Sequence, residues 1–256
     1  MQTGAITGYM DWAQVALYAF WVFFAGLIYY LRREDKREGY PLVSDRSNAV
    51  RVQGFPLMPQ PKTYLMKDGS TRTLPRAEGP QPTFDAMPVA PWSGAPLQPL
   101  GNPMTAGAGP AASAMRADLP DTMFETNEPR VVPLRVATDH YLDDEAVDPR
   151  GMTVLGADRA VGGVVSDVWI DRAETFARYL EVTLAAGVSV LVPTPLVKMD
   201  LRTNTAMVQS VLGAQFADAP QRAHPDLVTL REEDRIAAYF ASGNLYATPS
   251  RAEPLL

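Results

Sequence analysis

Residues 12 to 31 read WAQVALYAFWVFFAGLIYYL, twenty positions without a charge. A helix rises 1.5 Å per residue, so this run reaches about 30 Å, the thickness of a bilayer's hydrocarbon core. Gln14 is its one strongly polar side chain, and Trp12, Tyr29 and Tyr30 stand at its ends, where amphipathic rings favour the interface. A cleaved signal peptide fits poorly: the stretch is too long, no base precedes it, and no small-residue cleavage site closes it. The flanks predict an orientation. Residues 1–11 hold no Lys or Arg, whereas Arg32, Arg33, Lys36 and Arg37 follow the span at once. The positive-inside rule therefore predicts a periplasmic N-terminus (1–11), a transmembrane helix (12–31) and a cytoplasmic remainder. Tyr30, Arg32 and Arg33 are the candidate lipid contacts.

Beyond the anchor, residues 41–133 carry 16 of the 23 prolines. That density blocks helix interiors and central strands. Large apolar residues such as Phe55, Leu57, Phe84 and Trp92 are interspersed. The reading for 32–130 is an extended segment laid over a surface, with one hairpin around Asp68-Gly69. From Val131 the pattern turns to strands. Leu180, Val182 and Leu184 alternate with Tyr179, Glu181 and Thr183, Ala185-Ala186-Gly187 turns, and Val188–Val192 returns. Val164–Ile170, Leu196–Leu201 and Ala206–Val211 add strands. Residues 131–256 are thus expected to form a small antiparallel barrel or sandwich. Near its end Thr229 and Glu232 make a capping box, Ile236, Tyr239 and Phe240 form one apolar stripe, and Gly243 is placed to close the helix.

Composition narrows the chemistry. The formal charge is -6, which argues against nucleic acid. With no Cys and only His140 and His224, no thiolate chemistry is open and a metal site built from this chain is not expected. Motifs for phosphate cradles, zinc hydrolases and serine nucleophiles are absent, so no catalytic residue is assigned. Gly162-Gly163 precedes a strand and opens no helix. Carboxylates beside apolar strands are the remaining signal: Asp167 and Asp171, four apart on one strand face alongside Trp169, then Glu174, and Glu232, Glu233 and Asp234 at the capped helix start. Such acids are suited to passing protons to a covered site, or to capping and solvation alone.

The stretches YAFWVFFAGLIYYL (18–31), RREDKREGYPL (32–42), PLQPLGNPM (96–104), VVPLRVATD (131–139), DPRGMTVLGAD (148–158), VSDVWIDRAE (165–174) and TLREEDRIAAYFASGNLYATP (229–249) together resemble the H subunit of purple-bacterial photosynthetic reaction centres. The resemblance implies a single N-terminal transmembrane helix, a cytoplasmic PRC-type barrel and a C-terminal helix. It implies a non-catalytic subunit of the inner, intracytoplasmic (chromatophore) membrane that stabilises the L and M subunits, caps the quinone sites and conducts protons to the secondary quinone, with a light-harvesting 1 ring around the complex. Bacteriochlorophyll, bacteriopheophytin, quinones and non-haem iron then belong to the complex, none of them held principally by this chain. By matching position, Asp171, Glu174 and Glu233 correspond to the acids facing the quinone and Arg178 to an arginine that tunes them, and such a relay is expected to use carboxylates with raised or coupled pKa values. Some members have a His pair at the point of proton uptake; here residues 121–127 carry none, and Asp121 and Glu125 are the candidate replacements. The alternative reading is a membrane-tethered PRC-barrel adaptor unrelated to photosynthesis.

Overall fold

The computed structural model describes residues 5–7, 9–40, 42–43, 51–52, 54–67, 69–75, 83–92, 94–143 and 145–252. The chain divides into two compact units, Met1–Gln81 with Trp92–Gly94, and Pro82–Pro91 with Ala95–Leu256.

In the first unit helix α1 (Trp12–Glu34) runs 23 residues and continues through a 3-10 turn, Asp35–Arg37. Gln14, the polar exception in the apolar run, closes the start of the helix. Its amide N–H donates to the Asp11 carboxylate at 2.8 Å, and its side chain accepts from the Asp11 N–H. No residue of α1 is buried in the chain itself, as a helix built to be covered by lipid or partners requires. The helix outruns the apolar stretch by a turn because Arg32 and Arg33 suit its negative C-terminal end. There the chain folds back. Arg37 is buried, grips Glu34 through Nε at 2.7 Å, and donates to the carbonyls of Gln60 and Leu74. The hairpin expected around Asp68-Gly69 pairs Lys62–Leu65 with Thr71–Leu74; Asp68 itself lies outside the described residues.

The second unit is built on a seven-stranded sheet: β1 (Val131–Pro133), β2 (Thr153–Leu155), β3 (Val161–Asp171), β4 (Phe176–Thr183), β5 (Ser189–Pro193), β6 (Val197–Asp200) and β7 (Thr205–Val208). The order is β5-β4-β3-β2-β7-β6, and β1 joins the far end of β3. All pairs are antiparallel except β2 with β7. The end strands β5 and β6 are linked only by the 3-10 turn Thr194–Leu196. Four residue steps reach at most about 14 Å, whereas five strand spacings in a flat sheet would need about 24 Å. The sheet therefore has to roll up, giving the expected barrel-like form.

Val165, Val168, Leu180, Val182, Val190, Val192, Ala206 and Val208 fill the interior. Gly162 and Gly163 lie within β3 and not ahead of it. A Cβ on Gly162 would strike the Phe216 ring at 2.5 Å, and one on Gly163 the Thr183 carbonyl at 2.5 Å, so close packing explains the pair. The final helix, α2 (Leu230–Tyr246), starts on the expected Thr229–Glu232 capping box. It runs three residues past Gly243. That glycine is a contact, not a stop: its Cβ would meet the Ser210 carbonyl at 2.2 Å. Leu119 and Ala117 of the proline-rich segment supply carbonyls to the N–H groups of Leu230 and Arg231, satisfying donors that a helix start leaves free.

Candidate functional site

Three local features converge near the junction of β3 and β4. The first is the end of β3. Asp171 closes the strand, its side chain is 0% exposed, and the amides of Ala173 and Glu174 donate to Oδ1 at 3.0 and 3.2 Å. The turn that follows carries Glu174 outward, 61% exposed. The second is a break in register between Trp169–Tyr179 and Ile170–Ala177, which sets Arg178 as an extra residue on β4. The third is β1, whose pairing to β3 extends one step when Arg172 N–H donates to the Arg130 carbonyl at 2.9 Å, bringing Arg130 beside Asp171.

The result is one connected chain of charges. Arg130 Nη2 meets Glu174 Oε1 at 2.6 Å, and its Nε donates to Asp171 Oδ1 at 2.8 Å. Arg178 Nη1 donates to Asp171 Oδ2 at 2.9 Å, and its Nε lies 3.1 Å from Glu233 Oε2. The Tyr179 hydroxyl donates to the same Glu233 oxygen at 2.7 Å. All four residues proposed from sequence, Asp171, Glu174, Arg178 and Glu233, therefore lie in a single network. At its outer end Arg130 also approaches Asp121 at 3.6 Å. A hairpin over 121–130 presents Asp121, with Arg130 N–H donating to the Asp121 carbonyl and Thr122 bridging Pro129. Glu125 is exposed on that hairpin's turn and does not join the network.

Sequence reasoning missed Arg130 and Tyr179. Arg130 immediately precedes the strand Val131–Pro133, and a base beside a strand start was the one available signal. Tyr179 falls on the polar face of the alternating pattern, yet it is buried. Of the three acids at the α2 start only Glu233 is part of the network. Glu232 caps Thr229 and accepts from Ala223 N–H, and Asp234 accepts from Ala114 N–H.

The electrostatics are coupled. Burial alone would raise the Asp171 carboxyl, but the Arg130 hydrogen bond and charge and the Glu174 and Ala173 amides outweigh it and hold the group below its ordinary range. This is opposite to the raised acid expected of a relay. The hydrogen bond to Asp171 in turn drives Arg130 further up, against its own desolvation. Burial, then the Glu233 charge, raise the Tyr179 hydroxyl, so it stays protonated and a donor.

Asp167 belongs elsewhere. With Glu181 it faces Arg135 at 2.9 and 2.8 Å, and the Trp169 indole donates to Glu181 at 2.7 Å. Arg222 reaches Glu181 Oε1 at 3.2 Å and lies over the Trp169 ring, 4.9 Å from its centroid. Asp167 and Asp171 share a strand but not a network. His140 lies 3.0 Å from Asp139, which also faces Arg172. Among the described residues no group of three or more His, Asp or Glu is placed to hold a metal ion.

Two family models match the chain. The PRC-barrel domain model matches residues 143–215, covering most of the rolled sheet. The model of the photosynthetic reaction centre H-chain N-terminal region matches residues 4–136, slightly more than half of the 256 residues and including the apolar helix. The chain belongs to the family of photosynthetic reaction centre H chains.

Proposed function

We propose that the chain, as the H subunit of its reaction centre, caps the cytoplasmic face of the complex and delivers protons through the Glu174–Arg130–Asp171–Arg178–Glu233–Tyr179 network. Membership of the H-chain family supports a structural subunit of a reaction centre, associated with its L and M chains. In this reading the N-terminus is periplasmic, by the basic flank after Leu31, and the host is the photosynthetic inner membrane of a purple bacterium, with a light-harvesting ring around the core. Tyr30, Arg32 and Arg33, at the helix end and on the side of the basic cluster, meet lipid headgroups. The pigments, iron and quinones reside on the partner chains. The quinone reduced there takes up two electrons and two protons.

The observation that carries the proposal is the continuity from an exposed carboxylate, Glu174, to two buried groups, Glu233 and Tyr179. A dry cover passes no protons without titratable groups. Four acids, with Asp121, share two guanidiniums, and an arginine does not give up its proton. The excess negative charge therefore draws protons in, while Arg130 and Arg178 hold the carboxylates in a fixed row. Asp171, kept ionised, serves as a fixed charge; Glu174 and Glu233 are the exchanging groups at the outer and inner ends, and water held along the row carries the proton between them. The family match over the anchor argues against the tethered-adaptor alternative.

The test is Glu174→Gln in the assembled complex. The exposed Glu174 pair contributes at most about 1 kcal/mol to stability, so the variant assembles normally. Flash-induced proton uptake, followed with a pH-indicator dye, is slowed up to roughly tenfold, short of the 10²–10⁴ that a sole proton donor supplies, because other acids remain. Uptake equal to that of the unsubstituted complex across pH removes Glu174 from the path.

A further inference from the structure

The turn after the anchor displays two large apolar side chains. Phe55 is 83% and Leu57 71% exposed, while Pro56 between them is buried. Isolated exposed apolar residues need no explanation, but this pair has a fixed height. The Phe55 ring lies 5.8 Å from the ring of Tyr29, which stands two residues inside the C-terminal end of the charge-free run. Two residues of helix are about 3 Å, so Phe55 is level with the last turn of the span. The height is held by the buried Lys36, whose ammonium donates to the Pro56 carbonyl. Arg37 holds the segment that follows, ahead of the strand Lys62–Leu65, through the Gln60 carbonyl at 2.8 Å. Cations gather at the same helix end: Arg32 is exposed, and Lys62 meets Glu34 at 2.9 Å with its ammonium 6.0 Å from the Tyr30 ring centroid.

We propose that Phe55 and Leu57 form an interfacial wedge that inserts into the cytoplasmic headgroup–acyl boundary of the bilayer, a second membrane contact beside the transmembrane helix. The inference rests on Trp12–Leu31 being the span. An aromatic and a branched aliphatic side chain at that level, with Arg32 and Lys62 at the same helix end, match the division of labour of a membrane-interface segment: apolar groups in the acyl boundary, cations among anionic headgroups. Continuity with the apolar helix, through the Tyr29–Phe55 contact, selects lipid as the occupant. The wedge fixes the first unit against the membrane plane, a constraint that one helix, free to tilt and rotate, does not supply.

The chain has no cysteine, so single-cysteine labels are clean within it. Phe55→Cys and Leu57→Cys each carry a nitroxide in the assembled complex, held in nanodiscs of phosphatidylcholine and phosphatidylglycerol. Labels at Val22, within the span, and at Tyr141, exposed in the second unit, are the references, and the labelled but unsubstituted complex gives the background. Collisions with lipid-dissolved oxygen are compared with those of a water-soluble nickel chelate. The expected result at 55 and 57 is oxygen in excess of chelate, the reverse of the ratio at 141. Chelate in excess at both sites overturns the wedge, as does protection from both reagents, which would show a partner protein covering the pair. Chelate access at 22 would instead sink the span itself, an outcome visible separately.

Discussion

β3 and β4 hold two clusters of buried charge within a few residues of each other, and the two are wired differently. Around Arg135 the wiring is a hub: one guanidinium serves Asp167, Glu181 and Asp226, and Glu181 is further held by the Trp169 indole and Arg222. Around Arg130 and Arg178 it is a row: Arg130 joins Asp121 and Glu174 to Asp171, Arg178 joins Asp171 to Glu233, and the row ends outward in solvated carboxylates and inward in a phenol. In the hub Glu181 is held by indole and guanidinium donors, which do not release protons near neutrality. In the row the groups proposed to exchange protons are the carboxylates Glu174 and Glu233, and Tyr179 serves the latter as a fixed donor. Burial of acids therefore does not itself distinguish a clamp from a relay; the partners at the ends do.

The comparison breaks most visibly at the hub. Glu181→Ala leaves the Trp169 indole without its acceptor, deprives the buried Arg222 of its carboxylate, with only the Ser189 hydroxyl remaining, and removes one of the acids that Arg135 faces. Breaking a buried ion pair from one side costs about 3–5 kcal/mol, the largest loss expected here. Thermal or denaturant unfolding of the full chain measures it. Proton uptake in whatever complex still assembles is expected to stay near normal, since no exchanging group is lost. Slowed uptake with intact stability would assign the relay to the wrong cluster.

Asp171→Asn comes second and carries a pH signature. The folded-state pKa of Asp171 is lowered, so the unfolded chain binds its proton more readily. Stability from this group is complete above the unfolded value of about 3.9 and is lost as pH falls through the lower, folded one. The variant lacks that contribution at every pH. It should be less stable near neutrality by about 2 kcal/mol, the scale of a hydrogen bond to a charged group, and the gap to the unsubstituted chain should close in acid. A gap that widens as pH falls would mean that Asp171 is held protonated. Glu181 is lowered as well, by Arg135, Trp169 and Arg222 against its burial, so the hub shows the same sign of pH dependence and only uptake separates the two.

How much of this was legible depends on whether a feature is local. The anchor was, because length and charge in one run decide it; only its extra turn to Glu34 required the structure. The capping box at Thr229 was local too and sits where expected. The barrel strands were found, but with their polar faces misjudged. Tyr179 and Glu181 alternate with core residues as a solvent face would, yet both are buried, because Glu233 of α2 covers one and Arg222 the other. The membership of the row was named by resemblance and not by spacing. Arg130 is 41 residues from Asp171 and Tyr179 is 54 from Glu233, and no periodicity reports contacts at such separations. Asp167 shows the converse error, since sharing a strand with Asp171 suggested a shared role that their separate arginines deny.

Tyr179→Phe is the finest probe, because it alters the row while leaving every charge in place. Tyr179 gives Glu233 a neutral donor, and Arg178 remains when the hydroxyl is gone. The ring stays packed, so the loss is one buried hydrogen bond to a charged acceptor, about 1–2 kcal/mol. A clamp would register only that loss. A relay should also respond in rate: the hydroxyl helps hold the Glu233 carboxylate in place, so flash-induced proton uptake in the assembled complex should be slower than in the unsubstituted complex. Stability lost with unchanged uptake would make Glu233 a structural anchor for α2 and shorten the row to its outer half, Glu174, Arg130 and Asp171.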